Sequence, residues 1–186
     1  MIRIVSHHRT GTHLLAKLLH QNFYGQGADY EGLHYSHTRI PEGPFVHIYR
    51  AVYPVMLSVW RMREHFGVHP SVDFSRMIRT RWPDMPKVES KYAFRDFDGT
   101  MLDRWLRNTT DFSRKASISV SYNDVIDRPL NVVLRVSAAL NFPRRGFSPV
   151  SEHVGWRGSD EKPEVTANDA AMMEEYQGKL IVKLGG

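Results

Sequence analysis

The chain opens on apolar positions 2, 4 and 5, where Ile2, Ile4 and Val5 form a short strand pattern, and then turns polar over residues 6–12. From His13 the period changes: Leu14, Leu15, Leu18, Leu19 and Phe23 recur at spacings of three and four, the mark of an amphipathic helix. Gly25 and Gly27 end it. Residues 32–37 are ambiguous between strand and loop. Pro41, Gly43 and Pro44 mark a turn, and Phe45 to Tyr49 read as a buried strand. Pro54 suits the first turn of a helix running to about Phe66. Residues 70–110 read as two helices divided by Pro83 and Pro86. Ile118, Val120 and Tyr122 alternate with polar residues, a strand pattern. Pro129 then opens a helix through Leu140. After a loop over residues 143–165, Thr166-x-x-Asp169 resembles a capping box for a last helix to about Tyr176.

Strands alternating with helices predict an α/β fold: three layers, with a central parallel sheet flanked by helices. Ligands of such sheets bind at the carboxyl ends of the strands, which places the 6–12 loop and Arg50 at the expected site. No repeat or linker-like stretch interrupts the 186 residues, so the expectation is one domain over 1–186.

Composition narrows the chemistry. With no cysteine, a disulfide framework, thiolate catalysis and cysteine-bound zinc or iron–sulfur centres are excluded. No apolar run is long enough for a membrane helix, and the N-terminus lacks a signal-peptide pattern, so a cytoplasmic protein is expected. The net charge of +5 asks for an anionic partner without naming it.

The 6–12 loop is the first candidate for that partner. A helix start presents unpaired backbone N–H groups and the positive end of the helix dipole. Gly11 permits a turn or a close approach, Thr10 and Thr12 add hydroxyl donors, and Arg9 adds a charged fork. The Walker A pattern is absent, because the loop has neither its early glycine nor its lysine. A plain turn with a surface arginine would give the same residues. A second candidate is Arg50 at a strand end with Ser58 eight residues on, in the following helix.

Together the two segments resemble the sulfotransferases that use 3′-phosphoadenosine 5′-phosphosulfate (PAPS). Arg9-Thr10-Gly11-Thr12-His13-Leu14-Leu15 is similar to the family's 5′-phosphosulfate loop. Arg50 and Ser58 keep the spacing of its 3′-phosphate segment, although the proline falls at Pro54, later than in the family. Tyr122-Asn123-Asp124 with Pro129 and Asn141-Phe142-Pro143 resemble later family segments, and Tyr122 would then lie near the adenine. Gly155-Trp156-Arg157-Gly158 is a weaker match that offers Arg157 as a phosphate contact. Residues 63–115 match no family segment and are where an acceptor-binding region is expected.

The resemblance implies a P-loop NTPase-like sulfotransferase fold. It also implies transfer of a sulfonate from PAPS to a hydroxyl or amine of a small molecule, glycan or lipid, releasing adenosine 3′,5′-bisphosphate without a metal. Arg9 takes the electrostatic role at the leaving phosphate. A histidine suits the acceptor's proton, because its ordinary pKa lies near neutrality. His37 is most similar to the family's base, with His34 second, while His7, His8 and His13 flank the loop. His34-x-x-His37 is a conceivable metal pair, but H-E-x-x-H is absent.

Three alternatives stay open. One is a phosphotransferase or nucleotide kinase, and another is an inactive PAPS-binding homologue. The third is a nucleic-acid binder. Against it, the 12 Lys and Arg of residues 61–115 are interleaved with 8 acids, as on a solvated helix surface, so no specific nucleic acid is expected. At 186 residues the chain is short for the family, so an open site, or one completed by a second copy in a homo-oligomer, is expected.

Overall fold

A computed structural model describes residues 2–24, 33–36, 40–94, 97–150 and 160–184, with the backbone alone for 33–36. The chain divides into two compact units: residues 1–50 with 111–156, and residues 51–110 with 157–186.

The first unit is built on four parallel strands, β1 (Ile2–Ser6), β2 (Leu33–Ser36), β3 (Val46–Tyr49) and β4 (Ile118–Ser121), in the order β2-β1-β3-β4. The register pairs Ile4 with Val46 and Val46 with Ile118, so the odd and even positions of neighbouring strands line up. Ile2, Ile4, Val46, Ile48 and Val120 point to one face and join a core with α1 (Thr12–Phe23) and α6 (Pro129–Leu140). Val5 and Phe45 point to the other face, against Phe112. This is the two-residue period of a pleated strand covered on both sides. The ambiguous stretch before Pro41 thus contains an edge strand. The mixed α/β fold with a parallel sheet is as the alternating pattern predicted.

One boundary differs from the sequence reading in a way that matters for the site. The alternation 118-120-122 suggested that Tyr122 ends a strand, but it opens a short helix, α5 (Tyr122–Asp127). Ser121 causes the switch by accepting the Asp124 N–H at 3.0 Å as an N-cap.

The second unit is helical. It contains α2 (Val52–Arg61), α3 (Phe74–Arg79), a 3-10 turn at Trp82–Asp84, most of α4 (Met101–Lys115) and α7 (Ala167–Leu184). Residues of α4 from Asp111 onward belong to the first unit. Helix α2 starts two residues before Pro54, which still falls in the first turn, where a missing N–H leaves no bond unmade. It ends at Arg61 rather than near Phe66, because turns follow and Gly67 adopts φ +85°. Pro83, in the 3-10 turn, and Pro86 fall between α3 and α4, so the two helices are divided where the prolines stand, although α4 begins only at Met101. The capping box forms as read: Asp169 Oδ2 accepts the Thr166 N–H at 3.0 Å, and Thr166 Oγ1 accepts the Asp169 N–H at 3.2 Å. The core gathers Trp60, Trp82, Leu102, Trp105, Met173 and Leu180.

Candidate anion-binding site

The site lies in the first unit, at the carboxyl ends of β1, β3 and β4. After β1 the chain makes a tight loop whose backbone is unusual twice. Arg9 has φ +66° and Gly11 has φ +98°. The second is glycine territory; the first is an uncommon position for a long side chain. The loop is tied from within. Thr10 Oγ1 donates to the His7 carbonyl at 2.8 Å, His7 Nδ1 lies 2.8 Å from the His8 carbonyl, and Ser6 Oγ pairs with Thr12 Oγ1 at 2.5 Å. Both threonine hydroxyls expected to face a phosphate are thus engaged inside the loop, and both residues are buried.

Gly11 is the N-cap of α1 and offers the helix no side-chain cap, and no acidic residue occupies the first turn. The first main-chain acceptor bond of the helix runs from the Leu15 N–H to the Gly11 carbonyl, 3.0 Å. An uncapped N-terminus without nearby acid favours an anion.

Gly11 also serves a packing need. A Cβ there would fall 2.8 Å from Tyr122 Cε2 and closer still to Cδ2. The Tyr122 ring therefore rests on the loop backbone only because residue 11 has no side chain. Arg50, just past the end of β3, stacks its guanidinium over the same ring, 4.1 Å from the centroid. The order Gly11, Tyr122, Arg50 joins three strand ends into one cluster.

Arg9 belongs to the same cluster electrostatically. Burial, and then the charge of Arg50, lower its basicity. His13, on the first turn of α1, is lowered by burial and then by the charge of Arg9. Two guanidinium groups and a helix N-terminus thus concentrate positive potential at one place. That arrangement can hold an oxyanion and stabilise negative charge that develops on it.

Of the sequence-predicted residues, Arg9, Thr10, Gly11, Thr12, His13, Arg50 and Tyr122 come together in the first unit. Ser58 is half-buried on α2, in the second unit. His7 is buried inside the loop and His8 half-buried, their rings 6.0 Å apart edge to face. His34 lies within β2, in register with Arg3. His37 and Arg157 lie outside the described residues. Sequence reasoning missed one histidine of consequence. His47, in the middle of β3, is fully buried and pairs through Nδ1 with Ser113 Oγ at 2.9 Å and Ser119 Oγ at 3.3 Å. Its burial was implicit in its place between Val46 and Ile48 in a strand covered on both faces. Among the described residues, no three His, Asp or Glu gather as a metal site, and no helix is long and apolar enough to cross a membrane.

No family model and no curated protein matches the sequence. Among solved structures the chain is similar to mouse sulfotransferase SULT7A1 complexed with PAP, with a TM-score of 0.45 and 13% identity over 95% of this chain and 63% of that one. The chain thus spans less than two thirds of the length of that structure.

Proposed function

We propose that the protein is a PAPS-dependent sulfotransferase, a single three-layer domain of P-loop-like sulfotransferase fold over residues 1–186. The observation that carries the reading is the convergence of Arg9 and Arg50 beside the uncapped N-terminus of α1, at the carboxyl end of a parallel sheet. The donor set fits a nucleotide carrying phosphate groups at both ends. Arg9 and the α1 N-terminus would hold the 5′ side and Arg50 the 3′-phosphate, the group for which the sequence resemblance also names Ser58 and Arg157. Tyr122 gives the adenosine an aromatic neighbour, and Thr10, Thr12 and His13 complete the loop.

PAPS, when bound, supplies a sulfonate already activated as a mixed anhydride with phosphate. The bond from sulfur to the acceptor oxygen or nitrogen forms as the bond from sulfur to the phosphate oxygen breaks. Arg9 neutralises the charge that gathers on the leaving phosphate. Its guanidinium stays protonated, so its help is electrostatic. His37 takes the acceptor's proton.

Calorimetry with adenosine 3′,5′-bisphosphate tests the reading. Binding is expected without metal, weaker by about tenfold or more in Arg9→Ala and in Arg50→Ala, since each removes charge-assisted hydrogen bonds. PAPS turnover over a panel of hydroxyl and amine acceptors is expected, and His37→Ala should lower it while leaving bisphosphate binding intact. Absence of both bisphosphate binding and turnover overturns the proposal. Tighter binding of Mg-ATP points to a phosphotransferase, and binding without turnover to an inactive homologue.

A further inference from the structure

The second unit buries a cation that none of this chemistry uses. Arg104, on α4, is 4% exposed, and its guanidinium carbon lies 4.3 Å from the Phe94 ring centroid and 4.9 Å from that of Phe97. The two rings are held by their own neighbours: Phe94 stacks on Phe66 at 4.6 Å, and Trp82 stacks on Phe97 at 5.4 Å. The guanidinium thus lies against two aromatic rings, which attract it but accept no conventional hydrogen bond. Arg104 Nε is sealed from solvent with no hydrogen-bond partner, and no ion pair with Arg104 exists among the described residues.

The acid next to it on the helix is engaged elsewhere. The Asp103 carboxylate is taken by the Tyr176 hydroxyl at 2.5 Å and by the Thr100 N–H and hydroxyl, each at 2.9 Å. Arg107, one turn on and exposed, adds a second positive charge. Burial, and then Arg107, lower the Arg104 pKa to about 10. A buried charge without a counter-charge is strongly unfavourable, and aromatic faces compensate only in part. A neighbouring cation makes it worse unless an anion lies between them.

We propose that Arg104 and Arg107 form a second anion site, separate from the loop at Arg9, that takes a dianionic tetrahedral oxyanion group such as phosphate or sulfate. Two guanidinium groups match two negative charges, and the forked nitrogens match its oxygens.

The test is NMR of the arginine Nε–H signals of the full chain, with Arg104 assigned through Arg104→Lys. Inorganic phosphate is titrated against chloride at constant ionic strength. A saturable shift of the Arg104 signal is expected, with affinity falling about tenfold in Arg107→Gln, an exposed position where the fold should survive. Acetate, with one charge, should bind several-fold more weakly. The response should persist in Arg9→Ala and with saturating adenosine 3′,5′-bisphosphate present, so it does not depend on the function proposed for the loop. A linear, unsaturated shift, equal binding of acetate, indifference to Arg107→Gln, or loss of the response under the bisphosphate would each overturn the site.

Discussion

His47 makes the first unit sensitive to acid, and the effect can be sized. Its ring has no exposure, Phe112 lies edge to face at 5.8 Å, and Nε2 is buried with no hydrogen-bond partner. Burial alone lowers its pKa from 6.5 to about 3. The folded state therefore keeps His47 neutral while the unfolded chain protonates it. With the folded pKa below the unfolded one, the stability is complete above pH 6.5 and is lost as pH falls towards 3. Each unit of difference is worth about 1.4 kcal/mol, so the loss attributable to His47 is about 2 kcal/mol at pH 5 and about 3 kcal/mol at pH 4.

Carboxylates do not confuse the upper part of this window. Burial would raise the Asp169 pKa, but hydrogen bonds from Thr166, Arg79 and Ser75 outweigh it and bring it to about 2. Its contribution is lost only as pH falls below the ordinary carboxylate range. His13 is also lowered, but it is present in wild type and variant alike.

The comparison is therefore wild type against His47→Leu, by urea denaturation at pH 8, 7, 6 and 5. Far-UV circular dichroism is the suitable signal, because three of the four tryptophans, Trp60, Trp82 and Trp105, belong to the second unit and would dominate fluorescence. Hydrogen exchange at Ile48 and Val120 reads the same sheet directly. The readout is the change with pH rather than the stability at pH 8: a shallower loss, by about 2 kcal/mol, is expected between pH 8 and 5. Parallel pH profiles, or an NMR titration of His47 with its midpoint above about pH 5, would refute the reasoning.

Two further outcomes follow from single positions. Gly11→Ala meets both the positive φ and the Tyr122 ring, and should cost about 2–4 kcal/mol of unfolding free energy by urea denaturation; in a Tyr122→Ala background only the smaller backbone part should remain. Asp169→Ala strips the Thr166 cap and leaves Arg79, which donates to it at 2.7 Å, without its carboxylate; with Arg79 partly exposed, a loss of about 2–3 kcal/mol is expected in thermal or urea unfolding of the second unit at pH 7, and a loss under 0.5 kcal/mol would contradict this.

What was legible in the sequence is what local chemistry decides. The shift of period after Ser6 marks the passage from β1 to α1, Pro129 marks the start of α6, and Thr166-x-x-Asp169 marks the start of α7. The same signal stands at Thr100-x-x-Asp103, where Asp103 Oδ2 accepts the Thr100 N–H and the Thr100 hydroxyl, and it would have placed the start of α4. Helix α7 runs past Tyr176 to Leu184 although Gly178 looks like a stop. Gly178 has open space beside it, and Leu180, buried in the core two residues on, holds the helix together beyond it. The stretch between α3 and α4 was unreadable for a different reason. It is organised by backbone bonds to distant residues: Trp82 N–H to the Gly99 carbonyl at 2.8 Å, Val88 N–H to Gly67 at 3.1 Å, and Phe94 N–H to Phe66 at 3.1 Å. No periodicity encodes such pairings.

At the site, the residue types were legible and their reasons were not. Gly11 was read as freedom to turn or to approach a ligand, yet Tyr122, 111 positions away in the chain, claims the space where its Cβ would be. A glycine there is required by packing whether or not an anion binds, so its presence alone cannot distinguish a phosphate loop from a plain turn. Arg9 distinguishes them better. A turn that needs φ +66° is most easily made with Gly or Asn, and an arginine placed there works against its own backbone preference and against the charge of Arg50. Both penalties fall on the same side chain, and an oxyanion between the two guanidinium groups would offset the second of them. The strain at Arg9, more than the motif around it, is therefore the physical ground for reading this loop as a site.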